Sequence, residues 1–397
     1  MLNRSILFFE KESRPRLQGK MSLPRIPTDA SLRGRFHGCL LGGAVGDALG
    51  APVEFLDLDE IVKVYGEAGI RDYAPAYGKL GSITDDTQMT LFTAEGMLSA
   101  QLASALHGLP PDFFRAATAS YGRWLITQEN SRLTSSSSAK VSWLLQQKRL
   151  FSRRAPGTTC LSSLHASRGK VARAANDSKG CGGVMRIAPV GMYFAHALGR
   201  EHEHDQVIPS IFATGSDLAA ITHGHPSGWL SAGVLAVIVG LVLAGSPLKE
   251  AIAAAKDELR KQKSHKETLA AIERAEALAQ DRPRERAALR LMGKGFVAEE
   301  ALAMGLYCAL CAQDFEDGII LAVNHSGDSD STGAITGNLL GAAAGVKAIP
   351  DRWLAVLELR STIEALADDL AALPEWRLNG QADTEERTFY SNRYPTG

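Results

Sequence analysis

Two short acidic clusters carry the densest chemistry in the chain: Thr84-Asp85-Asp86-Thr87-Gln88-Met89 and Gly327-Asp328-Ser329-Asp330-Ser331-Thr332-Gly333. Each sits among small polar residues at the head of an apolar helical pattern. One Asp, Ser or Thr is enough to cap a helix N-terminus, and these clusters offer several. Adjacent residues on a helix diverge by about 100°, so Asp85 and Asp86 serve one site most easily from the turn entering a helix. Asp328 and Asp330, two apart in an extended turn, point the same way. Carboxylates gathered in a small volume protonate unless cations intervene. Hard oxygen donors without a nearby cysteine or histidine partner suit Mg²⁺ or Mn²⁺ rather than zinc. Spacing alone leaves two readings open, helix caps or a divalent-cation site.

A third block, Ser178-Lys179-Gly180-Cys181-Gly182-Gly183-Val184-Met185-Arg186, places three glycines in four positions. Such a backbone can approach a ligand, and a following helix would offer N–H groups to phosphate; a plain tight turn fits equally well. The chain has no GxxxxGK[ST] loop, and Gly42–Gly50 is not a GxGxxG fingerprint. Glu54, just past a glycine-rich helix, either projects into a site or is an exposed loop acid. His223 and His225 in ITHGHP line a pocket or cap backbone, whereas His202 and His204 in EHEHD read as solvated.

The elements that must position these residues read as helices. Gly38, Gly42, Gly46 and Gly50 recur every fourth residue, on one helix face where missing side chains admit another backbone. Apolar helical patterns follow at 89–105, 113–126, 141–147, 229–244, 251–279, 287–292, 301–312, 333–346 and 353–370, with no alternating strand, so an all-α fold is expected. Residues 229–244 are uncharged but fall short of the roughly 20 a membrane span needs, and read as a buried helix. Residues 130–177, rich in Ser, Arg and Gly, read as loops around a short helix.

With 43 Lys+Arg against 44 Asp+Glu and 45% hydrophobic residues, the chain is neither disordered nor built to hold nucleic acid. Its five cysteines form no disulfide framework, which points to a reducing, cytoplasmic compartment, and Cys308-x-x-Cys311 lacks the further ligands of a zinc site. Residues 1–35, basic and proline-bearing, read as an extended arm, 36–375 as one helical domain and 376–397 as a tail.

Taken in order, GCLLGGAVGDALGAPVEF, ITDDTQMTL, SKGCGGVMRIAPVG, ITHGHP and NHSGDSDSTGAITGNLLGA resemble the ADP-ribosylglycohydrolase family, which includes the bacterial dinitrogenase-reductase-activating glycohydrolase. The resemblance covers about residues 34–350. It implies a single all-α domain with two Mg²⁺ ions in a cleft, held by Thr84, Asp85, Asp86, Asp328, Asp330 and Ser331. GDSDSTG, in place of GDTDT, is similar to members acting on ADP-ribosyl-arginine. The implied reaction is hydrolysis of the bond between C1″ of the distal ribose and a guanidino nitrogen. Glu54 is the acid–base candidate, with Asp86 as its rival. Ser178, Gly180, Cys181, Gly182, Gly183, Val184, Met185, Arg186 and His223 would meet the substrate, an ADP-ribosylated protein. Some members of the family protect against ADP-ribosylating toxins. An alternative role is therefore an immunity protein whose arm (Arg4, Arg14, Arg16, Arg25) enters a toxin's active site, and a third is a non-catalytic ADP-ribose binder.

Overall fold

The computed structural model describes residues 30–129, 142–199, 204–378 and 384–396. The arginines at 4, 14, 16 and 25 lie outside them, as do residues 130–141 of the serine-rich stretch. Seventeen α-helices are described: α1 (Ala30–Gly50), α2 (Leu58–Tyr65), α3 (Asp85–His107), α4 (Phe113–Gln128), α5 (Thr158–Ser167), α6 (Ala188–Leu198), α7 (His204–Ala220), α8 (Pro226–Leu243), α9 (Leu248–Arg260), α10 (Lys266–Asp281), α11 (Arg286–Leu289), α12 (Ala298–Cys311), α13 (Phe315–Val323), α14 (Ser329–Ala344), α15 (Asp351–Val356), α16 (Arg360–Ala371) and α17 (Thr384–Arg393). Among the described residues the only β-type pairings are two isolated bridges, Ala76–Lys79 and Gly180–Val297. The chain is all-α, as its periodicity implied.

Local detail departs from the apolar pattern in three ways. The pattern at 251–279 is two helices, α9 and α10, separated near Ser264, whose φ is 62°. That at 353–370 is likewise α15 and α16, broken at Leu359 with φ 55°. Neither break uses Gly or Pro, so nothing in the sequence marks it. Helix α6, which starts at Ala188, has Pro189 in its first turn, where the N–H that proline lacks would be unpaired anyway, and α7 carries Pro209 inside it.

The core is organised by a pair of glycine faces. Gly38, Gly42 and Gly46 of α1 lie against Gly341, Gly337 and Gly333 of α14. A Cβ on them would fall 2.3, 2.4 and 2.0 Å from the carbonyl oxygens opposite. At the end of the row, a Cβ on Gly50 would sit 2.5 Å from the backbone nitrogen of Asp330. Only backbones bare of side chains can approach so closely. Around this pair, α8 is long and apolar enough to cross a membrane, yet 89% of it is buried within the protein against α6, α7 and α9. Cys308 and Cys311 are buried on α12, and all five cysteines are free thiols.

The outer ends are tied by polar contacts. At the start of α1, which begins at Ala30, Arg33 donates to Asp368 of α16 at 2.6 and 3.0 Å, and His37 bonds the same carboxylate at 2.6 Å. The segment after residue 375 packs on the body: Trp376 stacks on Tyr390 at 3.9 Å, and Tyr390 and Tyr394 are fully buried.

Two consequences are measurable. Gly46→Ala drives a methyl group into the Gly333 carbonyl and should lower stability by about 3 kcal/mol or more, or prevent folding. Gly122→Ala, in α4 with nothing within 4 Å, should raise stability by roughly 0.5–1 kcal/mol through helix propensity. Equal effects in thermal melts would contradict the close-packing account. Burial pushes the Asp368 carboxyl up, but bonds from His37 and Arg33 outweigh it and hold its pKa down at about 2. A depressed acid contributes stability above its unfolded pKa of about 3.9 and loses it as pH falls toward the folded value. Asp368→Asn should therefore cost about 1 kcal/mol at pH 7, a figure reduced for partial exposure, and progressively less as pH drops from about 4 to 2. Urea unfolding across that range reads the difference.

Candidate functional site

The close approach of α1 and α14 fixes the first part of the site. Asp47, fully buried on α1, accepts from the Thr84 N–H at 3.0 Å, the Thr87 N–H at 3.1 Å and the Thr87 hydroxyl at 2.5 Å. Thr84 is itself the N-cap of α3, its hydroxyl accepting from the Asp86 N–H at 3.3 Å. Capping of α3 is thus carried out by Thr84 and by Asp47 from a neighbouring helix. Asp85 and Asp86, in the first turn, are left for another task. Asp85 Oδ2 accepts from the Gly157 N–H at 3.1 Å, while Asp86 Oδ1 is buried with no donor.

The second cluster arrives on α14. Asp328 is its N-cap and Asp330 lies in its first turn, so the two sit at a helix start rather than in the extended turn expected. Both accept from the Ser331 N–H, at 3.3 and 2.9 Å. Glu54, in the turn after α1, is 7% exposed and not a surface acid. Its ligand oxygen lies within 4.8 Å of those of Asp328 and Asp330, and its Oε2 has no hydrogen-bond partner. Ser331 differs from the expected ligand pattern, because its hydroxyl points to the sulfurs of Cys181 (3.7 Å) and Met185 (3.8 Å).

Six buried acids, Asp47, Glu54, Asp85, Asp86, Asp328 and Asp330, therefore share this region. Burial first, then the charges of Asp330, Asp328 and Asp85, push Glu54 up to about 11. Burial and Asp330 push Asp47 up to about 7, and burial above all holds Asp85, Asp86 and Asp328 well above the carboxylate range. Of the two orphaned oxygens, Asp86 Oδ1 is what a hard cation would satisfy, and Glu54 Oε2 is open to a cation or a proton. The donor set is oxygen-rich and short of compensating charge, which fits divalent cations.

The glycine block borders the acids but is built differently from a phosphate loop. Cys181 donates its thiol to Asp328 Oδ2 at 2.9 Å. Cys181–Gly183 form a single 3₁₀ turn, and an α-helix starts only at Ala188. Gly182 and Gly183 are buried and serve internal packing: Cβ atoms there would lie 2.7 Å from Cys160 Sγ and 2.9 Å from Ala219 Cβ. Val184 and Met185 are buried as well, leaving Ser178, Lys179, Gly180 and Cys181 as the partly exposed members. His223 is 1% exposed beneath Gly180 and Gly182, bonded to Thr222 Oγ1 at 2.8 Å. Burial and Arg186 hold its pKa down at about 3, so it supports the loop as a neutral ring. Arg186 does not approach a ligand either, being fully buried against Thr222 Oγ1 (2.8 Å) and the Tyr121 ring (4.3 Å to its centroid).

Three features went unread in the sequence. Asp47 had a signal, as the lone Asp, Glu, Lys or Arg between Phe36 and Val53. Arg154 donates to the Ile83 carbonyl at 2.8 Å and forms a buried ion pair with Glu358, which Lys79 joins. Its own carbonyl accepts from the Asp85 N–H at 3.3 Å, so this network braces the entry to α3. Tyr77 stands nearby at the tip of a tight hairpin with φ 50°.

Comparison with known proteins gives this geometry a context. A family profile described as ADP-ribosylglycohydrolase matches residues 28–379. The chain is 31% identical over 342 residues to an uncharacterized protein of Archaeoglobus fulgidus, covering 85% of this chain and 96% of that one. It is 26% identical to the ADP-ribosylarginine hydrolase Tri1 of Pseudomonas putida, with 91% and 84% of the two chains covered. It is also 26% identical to the ADP-ribosyl-[dinitrogen reductase] glycohydrolase of Rhodospirillum rubrum, with 87% and 98% covered. Among solved structures, one titled ADP-ribosylglycohydrolase-related protein complex superposes with a TM-score of 0.62 at 27% identity, over 86% of this chain and 98% of that one. With its glycine-paired helices, its buried acids and a match spanning nearly its whole length, the chain belongs to the ADP-ribosylglycohydrolase family.

Proposed function

We propose that this chain hydrolyses the N-glycosidic bond joining ADP-ribose to an arginine side chain, using Mg²⁺ or Mn²⁺ held by Thr84, Asp85, Asp86, Asp328 and Asp330, with Ser331 beside them. The carrying observation is the pair of buried carboxylate oxygens without donors, Glu54 Oε2 and Asp86 Oδ1, among six buried acids. A buried oxygen of that kind is costly unless a proton or a cation meets it. The arginine linkage is supported by the likeness to the Pseudomonas putida ADP-ribosylarginine hydrolase and by the wording GDSDSTG at 327–333.

Bound divalent cations supply neutralising charge, a grip on vicinal ribose hydroxyls and a water of lowered pKa. The chain's own groups do the rest. Glu54 takes the proton once cation charge on Asp328, Asp330 and Asp85 relieves the repulsion that otherwise keeps it protonated, and its Oε2 is free of protein partners. The electron pair of the C1″–N bond leaves with the nitrogen of the protonated guanidinium, which departs as neutral guanidine; the water oxygen bonds to C1″, and the water's proton passes to Glu54 and from it to the departed guanidine. Asp85 and Asp86 offset the positive charge that builds on the sugar as the bond breaks. Asp86 is the weaker choice of base, because Thr84 Oγ1 lies 3.5 Å from its Oδ2 and it is placed by the first turn of α3. Asp47 holds the Thr84–Thr87 turn and positions both residues.

Incubation with ADP-ribosyl-arginine and ADP-ribosyl-serine proteins, followed by assay of free ADP-ribose, tests this reading. Release from the arginine conjugate should require Mg²⁺ or Mn²⁺ and fall more than about a hundredfold in Asp330→Ala, beyond the loss typical of outer-shell changes. Full turnover by that variant after exhaustive chelation would end the metal reading. Separately, either cation should raise the melting temperature by at least about 2 °C. Asp330→Ala should lose that shift while melting at or above the chelated wild type, since it removes a mutually repelling charge. A melt insensitive to cations in the wild type would contradict the site.

A further inference from the structure

The hairpin at Ala76–Lys79 presents an aromatic side chain that the proposed chemistry leaves unused. Ala76 and Lys79 exchange backbone bonds at 3.0 and 3.2 Å, leaving Tyr77 (φ 50°) and Gly78 (φ 84°) as a two-residue loop. Glycine adopts that conformation freely, whereas a bulky residue rarely does. The hairpin is clamped in place: Ser82 Oγ donates to the Ala76 carbonyl at 2.8 Å, and Lys79 pairs with Glu358. Despite its backbone strain, Tyr77 is 44% exposed, so burial does not account for it. Strain retained without a packing return is characteristic of functional positions.

Its location follows from Arg154, whose carbonyl bonds the Asp85 N–H and whose guanidinium lies 5.7 Å from the Tyr77 ring centroid. That guanidinium is neutralised by Glu358. The hairpin is pinned by Ser82, two residues before the Thr84 cap of α3, and burial, then the charges of Glu54, Asp330, Asp47 and Asp85, push the Tyr77 phenol up. Tyr77 thus stands beside the entry to α3, whose first turn carries Asp85 and Asp86. The side chain linked to ADP-ribose belongs to a protein and must leave the acids toward solvent, and Tyr77 is an exposed aromatic residue at that edge.

We propose that Tyr77 receives the guanidino group of the modified arginine on its exposed ring, and so favours arginine-linked over hydroxyl-linked ADP-ribose. This assignment rests on the arginine reading above. A planar, delocalised cation stacks well on an aromatic face, and a serine linkage offers no such group. The ring holds the guanidino group equally in the bound substrate and in the transition state, so the interaction acts on KM rather than on kcat.

Position 77 permits a clean test, because asparagine tolerates the left-handed backbone that strains tyrosine. Tyr77→Asn should melt at or above the wild type, yet raise KM for an ADP-ribosyl-arginine peptide about tenfold with kcat within about twofold. Inhibition by free ADP-ribose, which lacks the guanidino group, should not change. Tyr77→Phe should keep KM within about twofold of wild type. An unchanged KM in Tyr77→Asn overturns the proposal, as does ADP-ribose inhibition that weakens in parallel, which would assign the ring to the nucleotide. Tyr77→Phe behaving like Tyr77→Asn overturns it too. A wild-type chain that cleaves only the serine conjugate removes the arginine reading itself, an outcome distinct from any failure of the Tyr77 variants.

Discussion

The acid site hangs on the backbone contact between α1 and α14. No side chain separates the two helices along Gly38, Gly42 and Gly46, so their relative position is set by main-chain atoms and has little freedom to drift. The row ends with Gly50 against the Asp330 backbone. A helix that begins there must place Asp328 and Asp330 next to the turn carrying Glu54. One turn earlier on α1, Asp47 reaches across to the start of α3 and sets Thr84 through Thr87. Two helix N-termini converge in this way on a common volume. Their unpaired N–H groups and dipoles favour negative charge, which partly offsets the repulsion among the acids gathered there.

That offset is incomplete, and the imbalance is the functional content of the site. Burial and mutual repulsion push Glu54, Asp47, Asp85, Asp86 and Asp328 upward in pKa, and two of their oxygens lack any donor. A fold optimised for stability alone would place apolar or hydroxyl side chains at these positions. The surrounding structure compensates by over-determining the geometry. Asp85 is held by Gly157 and by the Arg154 carbonyl, and Arg154 is fixed by Glu358, which also takes the Ile83 N–H at 3.3 Å. The cations Arg154 and Lys79 are spent on Glu358, at one remove from the acids, and leave their charge unneutralised.

What the sequence disclosed and what it concealed divide along the range of the interactions. The four-residue glycine spacing, the acid clusters and the long apolar α8 are local patterns, and each is legible because its physical meaning depends on residues within a turn or two. The roles of Asp47, Arg154 and Tyr77 depend on partners brought together by the fold: Asp47 on Thr84 and Thr87, 37 and 40 residues away, and Arg154 on Glu358, 204 away. The glycine block shows a different obstacle. Absent side chains at Gly182 and Gly183 look the same in sequence whether a ligand or Cys160 and Ala219 occupy the space, and here it is the protein's own atoms. His223 followed the same course, since a histidine beside a glycine loop supports it from below as readily as it faces a ligand.

The same long-range character constrains how the site comes into being. Its acids come from α1, the turn after it, the head of α3 and the head of α14, and bracing residues come from the loop before α5 and the turn before α16. No one segment can form a working part of the cluster alone, and every partial assembly brings like charges together before all the packing that holds them is complete. Protons can relieve that repulsion, but a protonated carboxyl is a poor ligand for a hard cation. Cations that displace those protons would therefore bind the finished fold and not its fragments, making the species proposed to act in catalysis also the one that rewards completion of the α1–α14 contact.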